Sequence, residues 1–203
     1  MFRSLFIILL LALCKPAFCQ TAADFNDPDF TLFPKYKEDA EYFANVIPDS
    51  TYLYWRCVFN AGPYFRKAKD RVIFETGDKK YAKLIKKYKV GYGFMRGCPP
   101  GFCSYYIIAV RSDKTILQVN SPETFKTFLG KIDNIDEVRL VVKDHNYTIY
   151  SNSLKSGSYR ERKDDYLLFL GGNSSDLISN TPVSTKAVLT KAGDFRIVES
   201  DTY

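Results

Sequence analysis

The chain has 203 residues, of which 46% are hydrophobic and 26% charged, with 9 prolines and a net charge of +6. Such a composition excludes intrinsic disorder, collagen and long coiled coil, and the length suits one domain.

Residues 1–19 read as a secretory signal peptide: Arg3 as a short basic start, an apolar run over residues 5–13, Lys15-Pro16 as a turn, and Ala17-Phe18-Cys19 as a small-residue cleavage site. The run is far below the roughly 18 apolar residues a spanning helix needs, so no transmembrane segment is expected. A lipid anchor on Cys14 is the poorer reading, with bulky Leu13 before it and Lys15 after it. The expected location is therefore secreted or periplasmic. Removing residues 1–19 takes Arg3 and Lys15 but no acid, leaving 27 basic against 23 acidic residues, a net charge of +4, and three cysteines. The whole-chain charge then gives no reason to expect nucleic acid.

Residues 20–34 carry scattered Asp, Pro and Phe without period and read as an extended leader onto a domain spanning 35–203. A helix is expected over 35–47, with Tyr36, Ala40, Phe43, Ala44 and Ile47 near one face and Pro48 as its stop. The aromatic and β-branched run 51–59 predicts a strand, and 70–76 a shorter one. Residues 79–88 place Tyr81, Leu84, Ile85 and Tyr88 at helical spacing, predicting an amphipathic helix whose other face is Lys79, Lys80, Lys83, Lys86 and Lys87. A glycine-rich irregular loop follows. Strands at 105–111 and 115–119 flank the turn Ser112-Asp113-Lys114. Ser121-Pro122-Glu123 has the parts of a helix start, with hydroxyl cap, N1 proline and first-turn carboxylate. A second helix is expected from Asn134, with Glu137 completing a capping-box-like pair and Val138, Val141 and Val142 as its buried stripe. Residues 151–158 read as a mobile serine-rich loop, 166–170 as a strand, and 183–190 with 195–199 as a terminal hairpin. The whole reads as one α+β domain, mainly an antiparallel sheet with helices packed on one face.

Cys57, Cys98 and Cys103 form an odd set in an oxidising compartment. The spacing of Cys98 and Cys103 fits neither a C-x-x-C redox motif nor a zinc site. A structural bridge between Cys98 and Cys103 closes a short loop worth about 2.2 kcal/mol; one from Cys57 to either closes a longer loop worth about 4 kcal/mol, and both pairings stay open. His145 is the only histidine, so a thiol enzyme would pair it with a cysteine, whereas its polar surroundings suit a turn histidine. Gly91-Tyr92-Gly93-Phe94-Met95-Arg96-Gly97 misplaces the third glycine of a dinucleotide loop and follows a helix, so no nucleotide, cofactor or metal is expected. Asn146-Tyr147-Thr148 and Asn173-Ser174-Ser175 match the glycosylation sequon.

The stretch Tyr105-Tyr106-Ile107-Ile108-Ala109-Val110, followed by Thr124-Phe125-Lys126-Thr127-Phe128-Leu129-Gly130-Lys131-Ile132-Asp133-Asn134-Ile135-Asp136-Glu137, resembles exported bacterial proteins of unknown function, in which a strand pair leads into helix, Gly-Lys-Ile-Asp, helix. The resemblance implies an envelope location and no activity. The function expected is a non-catalytic binding or interaction module of the cell envelope or extracellular space, its partner left open between another envelope protein and an anionic polymer. The alternatives are the thiol enzyme and attachment to an anionic polymer through the lysines of 79–89.

Overall fold

The computed structural model describes residues 29–62, 70–97, 103–173 and 183–202. The expected signal peptide, residues 20–28 of the leader, Cys98 and the last two residues of the second sequon lie outside them. In chain order the elements are β1 (Thr31–Leu32), α1 (Asp39–Ala44), β2 (Tyr52–Asn60), β3 (Arg71–Gly77), α2 (Ala82–Ile85), β4 (Phe94–Gly97), β5 (Cys103–Arg111), β6 (Ile116–Val119), α3 (Pro122–Leu129), α4 (Ile135–Asp144), β7 (Gly157–Glu161), β8 (Asp165–Leu170), β9 (Val183–Thr190) and β10 (Phe195–Thr202).

All pairing is antiparallel, and the class is the expected α+β. The difference is in number: two sheets form where one was expected. One runs β1-β7-β8-β9-β10; the other runs β3-β2-β5-β4, with β6 pairing the far half of β5. Strand alternation divides the side chains of β2 and β5 between two faces. Trp55, Cys57, Tyr105, Ile107 and Ala109 face the main core, which also takes Phe43, Phe125, Phe128, Val138 and Val142 from the helices and Tyr166, Leu168, Leu170, Ala187 and Leu189 from the other sheet. One apolar core thus joins an inner face of each sheet through α1, α3 and α4, each fully buried large side chain contributing about 1.5–3 kcal/mol. At its centre the Phe94 and Phe125 rings stack at 4.3 Å. Tyr54, Val58, Tyr106, Ile108 and Val110, on the opposite face, form a second cluster capped by Ile85 and Val90.

The helix starts follow their local chemistry. Ser121 Oγ accepts from the Thr124 N–H, with Pro122 next to it. Asn134 Oδ1 accepts from the Asp136 and Glu137 N–H groups. The Glu137 side chain reaches past the cap, its two oxygens accepting from the Ile47 and Asp133 N–H groups, which ties α4 to the chain after α1. Far from showing a single valine stripe, α4 is buried from Asp136 to Val142, because sheet, leader and α1 cover its remaining faces.

Four expectations are corrected. The helix expected over 35–47 is only α1, and it buries Tyr42 and Phe43 while Tyr36 and Ile47 stay exposed: Glu38 is still extended and begins the helix as its cap, paired with Glu41. The helix expected over 79–88 is a 3₁₀ turn, Lys79–Tyr81, followed by the single turn of α2. Lys79, Lys83 and Lys87 would stack at i, i+4 in a longer helix and repel, and Val90 must drop into the outer cluster. The leader joins the fold at β1, whose Leu32 pairs with Ser158. The loop expected over 151–158 gives way to β7 at Gly157, where a Cβ would lie 1.9 Å from the Tyr150 carbonyl oxygen.

Candidate functional site

The lysines of 79–89 are exposed, but several are already occupied. Lys79 pairs with Glu75 at 3.4 Å and Lys80 with Asp78 at 2.6 Å. Lys80 and Lys87 also lie over the Tyr81 and Tyr88 rings. Lys83 and Lys86 make no ion pair among the described residues. Gly93 serves packing: a Cβ there would meet the Tyr105 carbonyl oxygen at 1.7 Å, and its N–H donates to Ser104 Oγ.

Cys57 is a free thiol, fully buried on β2 between Phe74 and Ile107 of the flanking strands, and burial raises its pKa well above the ordinary thiol value. Cys103 is disulfide-bonded.

His145 ends α4, its ring stacked on Phe195 at 4.4 Å, and the covering lowers its pKa. It borders a cleft of about 240 Å³ between α3, α4 and the β9–β10 hairpin, with Glu123, Phe125, Lys126, Val141, Asp144 and Phe195 among the lining residues. No cysteine is among them. Asp144 accepts the Met95 N–H at 2.7 Å, and Met95 holds the left-handed φ of 49°. Burial, with Glu123 adding to it, pushes the Asp144 carboxyl up to about 6, against the pull of the Met95 N–H and Arg96. Lys126 and Asp194 pair at the rim.

The larger opening lies on the other side of α4 and was not singled out from the sequence. Two adjoining cavities, about 430 and 260 Å³, share Tyr36 and Asp39 as walls. Glu38, Arg71, Ile73 and Tyr105 complete much of the first; Tyr42, Arg139, Leu140, Lys143, Tyr147 and Ile149 complete much of the second. Asp39, first residue of α1, gathers three donors: Lys143 Nζ at 2.7 Å, Tyr36 Oη at 3.2 Å, and the Tyr105 hydroxyl in a short bond. Burial alone would raise its carboxyl, but the bonds from Lys143 and Tyr105 outweigh it and hold the pKa below the ordinary value. These partners lie 66 and 104 residues along the chain from Asp39, so only an aspartate amid tyrosines hinted at the groove. Among the described residues no three His, Cys, Asp or Glu side chains gather as metal ligands would, and no helix is long and apolar enough to cross a membrane. Neither a protein-family model, nor a curated protein, nor a solved structure matches the chain, so the reading of the groove rests on its own geometry.

Proposed function

We propose that the protein is an exported, non-catalytic binding module whose small ligand occupies the paired cavities around Asp39. The observation that carries this reading is the pair of adjoining openings walled by the same tyrosine and aspartate. A small-molecule site is concave and largely apolar, with a few fixed polar groups; the aromatic and aliphatic walls of the smaller cavity and the immobilised Asp39–Lys143 pair supply both, and the larger cavity adds a more polar mouth. Export is supported by the character of residues 1–19, and a bridge between Cys98 and Cys103 by the bonded state of Cys103 together with the free thiol of Cys57. The test is a thermal-shift panel of glucose, N-acetylglucosamine, arginine, citrate and phosphate. At least one probe raises the melting temperature by roughly 2 °C, and Tyr36→Ala, at an exposed position, abolishes that shift without unfolding the protein. A panel with no shift, or a shift untouched by Tyr36→Ala, overturns the reading.

A second reading, attachment to an anionic polymer, draws on the unpaired Lys83 and Lys86. It requires that retention on an anionic matrix be lost when Lys83, Lys86 and Lys89 become Glu; unchanged retention sinks it.

A further inference from the structure

Arg139 is unusual among the charged residues of the groove. It is only 6% exposed, yet it makes no ion pair among the described residues. Nη2 donates to two neutral acceptors, the Pro34 carbonyl at 2.6 Å and Ser151 Oγ at 3.3 Å. The guanidinium lies over the Phe33 and Tyr42 rings at 5.3 and 5.4 Å. Both carboxylates nearby are taken. Asp136 receives Lys37 Nζ at 3.2 Å and Asn45 Nδ2 at 2.6 Å; Asp39 receives Lys143 and two tyrosine hydroxyls. Nε and Nη1 have no protein acceptor among the described residues, yet they are not among the buried unsatisfied atoms. Arg139 is among the residues lining the smaller cavity. Buried charges are ordinarily paired. The charged residues lining the smaller cavity are Asp39, Lys143 and Arg139, which leaves one positive charge uncompensated. The remaining walls are Leu140, Ile149, Thr148 and the rings of Tyr36, Tyr42 and Tyr147.

We infer that the smaller cavity receives the anionic group, carboxylate or phosphate, of a ligand with a compact apolar ring, the guanidinium of Arg139 and the ammonium of Lys143 facing the anion. This rests on the groove being the ligand site. With both Nη2 hydrogens taken by Pro34 and Ser151, Arg139 offers the anion single charge-assisted hydrogen bonds from Nε–H or Nη1–H, and about 260 Å³ holds one ring carrying such a group. The Arg139 contacts to Pro34 and Ser151 fix the guanidinium before any ligand arrives.

The experiment titrates the full chain with benzoate, phenyl phosphate, inorganic phosphate and benzamide, the last a neutral match for benzoate, following the Arg139 Nε–H resonance and the melting temperature. Benzoate or phenyl phosphate binds at least about tenfold more tightly than benzamide, shifts the Nε–H signal and weakens with added salt. Which of the two is tighter, and whether inorganic phosphate competes, separates a carboxylate ligand from a phosphate one. Lys143→Gln weakens the anions more than it weakens benzamide; Arg139→Gln, checked for its fold by circular dichroism, removes the charge and costs the anions about tenfold of their affinity, more than it costs benzamide. Benzamide binding as tightly as benzoate overturns the anion assignment and leaves the groove standing. Binding by none of the four overturns it too, while a neutral hit in the wider panel would still uphold the groove.

Discussion

The groove around Asp39 and the cleft around Asp144 are both built on the last turns of α4, and Lys143 and Asp144 are consecutive residues, one lining each. Their carboxyl groups are nevertheless driven in opposite directions. Asp39 is drawn below its ordinary pKa by a lysine and two phenols; Asp144 has one backbone N–H and a neighbouring glutamate, and rises to about 6. Burial penalises both. The number of donors to the charged form decides which effect wins.

The largest expected effect comes from breaking the satisfied site. Asp39→Asn leaves Lys143 facing a neutral amide and lowers unfolding free energy by about 2 kcal/mol at pH 7. Because the Asp39 pKa is depressed in the fold, its contribution is present above the unfolded value near 4 and is lost as pH falls through the folded value. Urea unfolding between pH 3 and 8 should show that acid-side loss in the wild type and not in the variant. At Asp144 the sign reverses. Stability is full below the unfolded pKa and declines as pH rises through about 6, so Asp144→Asn, which keeps an acceptor for the Met95 N–H, gains about 2 kcal/mol at pH 8 and nothing at pH 3. A loss at pH 8 would break the comparison.

Two smaller changes sharpen it. Tyr105→Phe removes one donor and costs about 1 kcal/mol; carbonyl NMR should find the Asp39 titration moved upward and that of Asp144 unmoved. His145→Ala removes the stack on Phe195 and costs about 0.5 kcal/mol. If the Asp144 titration moves with it, His145 supplies part of the burial that raises Asp144, contrary to the expectation that the rest of the cleft, the Met95 N–H and Glu123 set it.

What could be read from the sequence follows the range of the forces. β2, the β5–β6 hairpin, α3, the start of α4 and the β9–β10 hairpin carry their own signals: aromatic runs, caps, turn residues. β4 does not, since its strand geometry includes the left-handed Met95, held by a carboxylate 49 residues away. β7, Gly157–Glu161, is short and mostly polar and becomes a strand because Leu168 and its neighbours on β8 offer it an edge. His145 was reachable by counting, whereas Asp144 beside it was passed over although it holds the more perturbed group. Arg139 leaves a faint mark, an arginine between Val138 and Leu140 on a helix whose expected buried stripe is Val138, Val141 and Val142. The leader residues Phe33 and Pro34, with Tyr42 of α1 and Ser151, turn that position into an interior one.

Cys57 sits where β2 is held on both sides, so no reagent reaches its sulfur while the sheet is closed. The rate at which a thiol probe modifies it in the native protein is thus a clock for strand separation: the opening free energy when reclosure outruns labelling, the opening rate when labelling outruns reclosure. The molecule carries its own gauge of how often its central strand lets go, with no substitution needed to install it.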